Sequence, residues 1–328
     1  MNKIYPQKLQ KGDIIRVIAP SRSLGIISEE TRANANKIFK KIGLRLEFSK
    51  HSHEIDDFKS SSIESRISDI HDAFRNPEVK AVLSVIGGFN SNQLLKYIDW
   101  DIIKANPKIF CGYSDITVLN NAIFAKTGLV NYSGPAYSTF GKLRDMEYTI
   151  EYFKKCLFSD NPIEIEASEK WDDRKWWINQ DDGEFFKNPK WQIINEGETK
   201  GTIIGGNLGT LNLLQGTDYF PSLENTILFI EDDYETYAEM FDRDLQSLIH
   251  QKGFNEVKGL VIGRFQIASK ISESKLKQII KSKNELDKIP VVAGVDFGHT
   301  DPKITFPIGG EVEVSAYEHK SSINIIKH

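Results

Sequence analysis

Sulfur is scarce in this chain: two cysteines, Cys111 and Cys156, and three methionines in 328 residues. That excludes a disulfide framework and a cysteine-built zinc cage. No run of about 18 apolar residues occurs, so no membrane-spanning helix is expected. Met1-Asn2-Lys3 is followed by no apolar signal core, which points to a cytoplasmic protein. An excess of basic charge is missing as well. Lysine and arginine number 42 against 46 aspartates and glutamates, for a formal charge of −4. Proteins that bind nucleic acid by neutralising phosphates are normally basic, so a nucleic-acid partner is not expected. What is present is material for a core, with 40% hydrophobic and 27% charged residues. The length suits two domains of about 100–200 residues each.

The first half alternates apolar runs with amphipathic ones. Strands are predicted at Ile14–Ala19, Leu44–Phe48, Ala81–Ile86, Ile109–Gly112 and Leu129–Tyr132, with helices near 28–42, 62–75, 91–98 and 115–126. In the second helix Ile63, Ile67, Ile70 and Phe74 share a face behind a Ser61-x-x-Glu64 capping box. Such alternation implies an α/β fold with a parallel sheet, whose ligands gather at the carboxyl ends of the strands. A charged, turn-rich break follows, with turns at Asp160-Asn161-Pro162, Asp181-Asp182-Gly183 and Asn188-Pro189. It carries Trp171, Trp176, Trp177 and Trp191, four of the five tryptophans. We divide the chain into 1–160, a Trp-rich connecting segment and substrate loop at 161–200, and 201–328. The last part has buried strands at Gly201–Ile204, Ile227–Ile230, Gly259–Ile262 and Val291–Val295, and a helix from about Tyr237 to Gln251 that stops at Gly253. A closing hairpin is expected, Thr305–Ile308 and Glu311–Ser315 about a Gly309-Gly310 turn.

Four segments at strand ends bear chemistry. In Ile109-Phe110-Cys111-Gly112-Tyr113-Ser114-Asp115 a buried strand passes through glycine into Ser114, and a helix begins at once. A serine there exposes its hydroxyl above the sheet, and the next N–H is free for an oxyanion; a simple helix cap accounts for the same residues. Val85-Ile86-Gly87-Gly88 ends another strand in a pair of glycines that suits a ligand or a plain turn. Gly205-Gly206-Asn207 is similar, and lacks the Lys-Ser/Thr of a phosphate loop. Thr226–Ile230 delivers Glu231 to a strand end, as a solvated carboxylate or a partner for histidine; no histidines are spaced there to complete a metal site. Of seven histidines, His299 alone follows both a buried strand and a glycine. Ser114, His299 and Glu231 thus supply the roles of a nucleophile, base and carboxylate system, which needs no fixed chain order.

These residues resemble the LD-carboxypeptidase family of serine peptidases, and within it the microcin-immunity, MccF-like branch. The likeness runs through Gly12-Asp13, Ala19-Pro20-Ser21, Ile86-Gly87-Gly88-Phe89-Asn90-Ser91-Asn92, Leu94-Leu95, Gly112-Tyr113-Ser114-Asp115 and Ser133-Gly134-Pro135. It continues in Gly205-Gly206-Asn207-Leu208, Glu231-Asp232, Gly263-Arg264-Phe265 and Asp296-Phe297-Gly298-His299. The resemblance implies a flavodoxin-like N-terminal domain and a mostly β, barrel-like (swivelling β/β/α) C-terminal domain, with the active site between them. It implies Ser114 as nucleophile, His299 as general base, Glu231 as its orienting carboxylate, and the N–H groups of Gly88 and Asp115 as oxyanion hole. Gly87, Asn90 and Asn207 would touch substrate, and one of Trp171, Trp176 and Trp177 would stack on a nucleoside, an interaction worth about 1–3 kcal/mol per base. No metal or organic cofactor is implied. A small peptide or aminoacyl-nucleotide substrate and a homodimer are. Murein-recycling members carry Arg-Gly-Gly-Tyr-Gly in the first glycine loop, where this chain has Ile86 and Asn90-Ser91-Asn92. Rival readings are a murein LD-carboxypeptidase releasing D-Ala from tetrapeptides, an α/β-hydrolase esterase, and a non-catalytic two-domain binding protein.

Overall fold

Apolar runs of the first half become five strands of one sheet: β1 (Ile14–Ile18), β2 (Arg45–Phe48), β3 (Val79–Ser84), β4 (Ile109–Gly112) and β5 (Asn131–Ser133). The computed structural model describes residues 2–180 and 184–328; the turn expected at Asp181-Asp182-Gly183 lies outside them. The five strands run parallel in the order β5-β4-β3-β1-β2. Parallel neighbours require crossovers, and α1 (Glu29–Ile42), α2 (Ile63–Arg75), α3 (Trp100–Ala105) and α4 (Thr117–Thr127) lie between them. The cap of α2 is Ser62, accepting from the Ser65 amide, one residue beyond the Ser61 expected. Instead of a helix over 91–98, only a short 3-10 turn forms at Ser91–Leu94, and its Ser91 amide donates to the Asp115 carboxylate. Helix α5 (Glu147–Phe158) has no side-chain cap and was not anticipated.

The remaining strands follow in chain order. They are β6 (Ile163–Glu164), β7 (Lys170–Trp171), β8 (Phe186–Lys187), β9 (Gln192–Asn195), β10 (Gly197–Asn207), β11 (Thr226–Glu231), β12 (Gly259–Gly263), β13 (Val291–Val295), β14 (Phe306–Ile308), β15 (Glu311–Ala316) and β16 (Ser322–Lys327). Eight of them make a mixed sheet, β6-β16-β15-β10-β11-β12-β13-β9, whose β10 to β13 are mutually parallel. Helices α6 (Leu208–Asn212), α7 (Ala238–Ile249) and α8 (Glu273–Lys281) connect its central strands. The molecule is thus an α/β half with a mostly parallel sheet, followed by a β-rich half with a mixed sheet. Among the described residues no helix is long and apolar enough to cross a membrane.

The expected closing hairpin does not form. Strand β14 pairs antiparallel with β5, Phe306 opposite Ser133, in the first sheet, whereas β15 pairs with β10 and β16 in the second. The Gly-Gly pair is a passage between sheets: at Gly309 (φ +89°) a Cβ would lie 2.4 Å from the Phe124 ring. Phe306 is buried against Phe229 and Phe297 of the second half, both with ring centroids 5.1 Å away, so β14 packs on one half while it pairs with the other. The two halves are further joined where Asn121 on α4 donates to the Gly205 carbonyl (2.8 Å) and accepts from the Gly205 amide (3.2 Å).

Candidate active site

Strand β4 is buried along its whole length and stops at Gly112, where any Cβ would lie 2.4 Å from Ser84 Oγ. Tyr113 is extended, and Ser114 then takes a φ of +63°. That left-handed conformation is unusual for a residue with a Cβ and marks a strained, over-determined position. It lifts the partly exposed hydroxyl of Ser114 above the sheet, at the start of the turn that feeds α4.

His299 reaches that hydroxyl from the other half of the chain, with Nε2 3.0 Å from Ser114 Oγ. Its Nδ1 lies 2.7 Å from Glu231 Oε2. Facing a carboxylate, which only accepts, Nδ1 carries the proton, so Nε2 is left to accept from the serine. Glu231 ends β11 and is buried. Room for it comes from Gly298 (φ +94°), where a Cβ would sit 2.3 Å from Glu231 Oε2, and from Gly263, where a Cβ would sit 2.7 Å from Glu231 Cβ. Burial disfavours the His299 imidazolium, but the charge and hydrogen bond of Glu231 outweigh it and hold the imidazole above its ordinary value. Phe297, stacked on Phe229 at 5.7 Å, anchors the loop.

The first glycine loop passes over the serine. A Cβ at Gly87 would lie 2.8 Å from Ser114 Oγ and 3.4 Å from the Asp115 nitrogen, and one at Gly88 (φ +156°) would lie 2.2 Å from Ser21 Oγ. The side chain of Asp115 pins this loop, accepting from Ser21 Oγ at 2.6 Å and from the Ser91 amide at 2.9 Å. Ser91 Oγ in turn donates to the Asp115 carbonyl at 2.7 Å. Three chain segments are thereby fixed around one hydroxyl.

The other residues singled out in the sequence are placed as follows. Asn90 is buried, its amide donating to Ser60 Oγ at 3.0 Å. Asn207 caps α6 and donates to Asp232 Oδ1 at 3.0 Å. Burial, then the neighbouring Glu231, push the Asp232 carboxyl up to about 7. Trp171 lies over the Arg264 guanidinium at 5.0 Å, on the wall of a 380 Å³ cavity that also includes Gly263 and Gln266. Trp176 is buried, while Trp177, edge-on to it at 5.9 Å, is 58% exposed. Among the described residues no group of three or more His, Cys, Asp or Glu is placed to hold a metal ion.

Sequence reasoning passed over Tyr113, whose ring centroid is 5.4 Å from that of His299, and Ser21 beneath the glycine loop. It also passed over a set of buried charges, Lys142, Asp172, Asp301 and Lys303. Partners among them are up to 159 residues apart in the chain (Lys142 to Asp301), a separation that leaves no local pattern.

Comparison with known proteins gives this arrangement a family. Residues 15–134 match the LD-carboxypeptidase N-terminal domain, and residues 200–314 match the LD-carboxypeptidase C-terminal domain. The microcin C7 self-immunity protein MccF of Escherichia coli is 31% identical over 317 residues, covering 93% of this chain and 91% of its own. The crystal structure of an MccF-like protein from Bacillus anthracis str. Ames is 52% identical, with a TM-score of 0.98 over 99% of this chain and 100% of that one. MccF in complex with aspartyl sulfamoyl adenosine superposes with a TM-score of 0.88 at 29% identity, over 99% of both chains. With both halves matched in order and over nearly its full length, the chain belongs to the LD-carboxypeptidase family, and its fold is that of the MccF structures.

Proposed function

We propose that this protein is a serine carboxypeptidase that hydrolyses the amide at a C-terminal aminoacyl or aminoacyl-nucleotide group. The observation that carries the reading is the continuous relay from Glu231 through His299 to Ser114, at 2.7 and 3.0 Å, ending on a serine with positive φ. His299 removes the Ser114 proton as Oγ attacks the carbonyl, and Glu231 steadies the imidazolium that results. The tetrahedral oxyanion is received by the N–H groups of Gly88 and Asp115, where one such donor is typically worth about 2.7–4 kcal/mol. His299 then protonates the leaving nitrogen, and water hydrolyses the acyl-enzyme by the same steps in reverse. The insert supports a nucleoside leaving group, because Trp177 offers an exposed indole for stacking. MccF itself has been solved with an aminoacyl sulfamoyl nucleoside. We place the enzyme in the cytoplasm as a homodimer, which light scattering of the purified protein checks.

The second reading keeps the mechanism and changes the substrate to the L,D-amide of a murein tetrapeptide, in line with the family to which the chain belongs. Ile86, in place of the arginine of murein-recycling members, favours the first. The deciding assay offers purified protein aspartyl sulfamoyl adenosine and a murein tetrapeptide, and follows both by mass spectrometry. Cleavage of the nucleoside and its loss in Ser114→Ala are expected. Release of D-Ala alone would transfer the enzyme to the murein reading. Turnover that survives Ser114→Ala would remove the nucleophile assignment.

A further inference from the structure

A buried chain of alternating charge begins four residues beyond His299. Lys303 pairs with Asp301, Asp301 meets Lys142 at 3.2 Å, and Lys142 meets Asp172 at 3.1 Å. All four side chains are buried. The backbone reinforces the chain, since the Asp172 amide donates to the Asp301 carbonyl at 2.7 Å and the Asp301 amide returns a bond at 2.8 Å. Three segments meet here: the end of the 3-10 turn Tyr137–Gly141, the tryptophan-bearing insert and the His299 loop. Buried ion pairs contribute little net stability, because desolvating them offsets their attraction, and apolar replacements often serve as well. The placement of this chain is therefore better explained by what it adjoins. Lys303 Nζ lies 5.5 Å from the centroid of Tyr113, and that ring lies 5.4 Å from the ring of His299.

We propose that Lys303 is a positioning residue for His299, its buried ammonium opposing the imidazolium while Asp301, Lys142 and Asp172 hold it in place and tie the insert to the same loop. The inference rests on the reading of His299 as general base. His299 faces Glu231 from the end of β11, Asp233 from the loop that follows, Ser114 and Tyr113 from the end of β4, and Lys303 from its own loop. Glu231 and Asp233 favour its charged form, and Lys303 opposes them. Both members of the nearest pair are ionised at neutral pH. Burial acts to raise the Asp301 carboxyl, yet Lys303 and Lys142 hold it down at about 2. Burial acts to lower the Lys303 amine, yet Asp301 keeps it above the ordinary lysine value.

The test is the pH profile of kcat/KM for the full-length enzyme, whose acid limb reports loss of the proton from the free-enzyme base. Lys303→Met removes the opposing cation, so the limb moves to higher pH, by about 0.5–1 unit for one charge at this range. Lys303→Arg keeps the charge and leaves the limb near its wild-type position. Lys142→Met removes a cation one ion further away and moves the limb the same way by less. Asp172→Asn moves it to lower pH and raises KM, through the insert. A merely structural role predicts loss of rate with no displacement of the limb, and that result overturns the inference. So does failure of Lys303→Met, Lys303→Gln and Lys142→Met all to fold. Turnover that persists in Ser114→Ala would instead overturn the reading beneath it, so the two failures are distinguishable.

Discussion

Ser114 holds a backbone angle that only glycine adopts without penalty, in a turn flanked by the buried Gly112, Asp115 and Ile116. For an L-residue the left-handed region costs roughly 1–2 kcal/mol. The cost is separable from the hydroxyl. Ser114→Gly and Ser114→Ala are both expected to be inactive, but Ser114→Gly should be the more stable of the two by about 1 kcal/mol in urea denaturation, because it alone relieves the strain. Equal midpoints would mean that the surroundings do not strain this position. The same residue was readable beforehand for a related reason. A serine directly after a buried strand and a glycine, with a helix next, is a short-range pattern, and Glu231 and His299 also follow buried strands. Asn90 and Asn207 show the limit of such reading. Each stands in a glycine-rich motif, and their side chains also bond Ser60 and Asp232, partners that no local pattern announces.

At the scale of elements, the site depends on glycines that admit neighbouring side chains. Gly298 is the sharpest case, with φ +94° and Glu231 Oε2 occupying the place of its absent Cβ. Gly298→Ala should displace Glu231 and break the bond to His299 Nδ1. We expect kcat/KM to fall by up to about 10⁴-fold, the scale on which loss of the orienting carboxylate acts in serine peptidases, with a lowered melting temperature alongside. Near-wild-type turnover would show that Glu231 is dispensable. The apolar runs at β1, β3, β4, β11, β12 and β13 were legible because strands buried on both faces need no alternation. Strands β6, β7 and β8 are two residues long and carry no period to detect. The tail misled because Gly309-Gly310 has the composition of a hairpin turn, while β14 finds its pairing partner in β5, far back in the chain.

Across the whole molecule the two sheets share more than a boundary. The first is finished by β14, which lies 173 residues after Ser133 as counted to Phe306, and Asn121 is bonded to Gly205 through both amide functions. Neither half is self-sufficient by this geometry. Thermal unfolding followed by far-ultraviolet circular dichroism and by tryptophan fluorescence should therefore give one coincident transition, although Trp171, Trp176, Trp177 and Trp191 report chiefly on the insert. Two separated transitions would show that the halves melt independently. This interlock was not legible at all, since alternation of strand and helix describes neighbours in the chain and β5 with β14 are not neighbours.

The passage of the chain from β13 through His299 and β14 into β15 also has a consequence in time. During synthesis Ser114 is made early and Glu231 follows, but His299 and the strand that completes the first sheet are made only after more than nine-tenths of the 328 residues. On the proposed mechanism the serine has no base within reach until then, and the nascent chain is unarmed. Its chemistry is switched on by the arrival of the same segment that closes the fold.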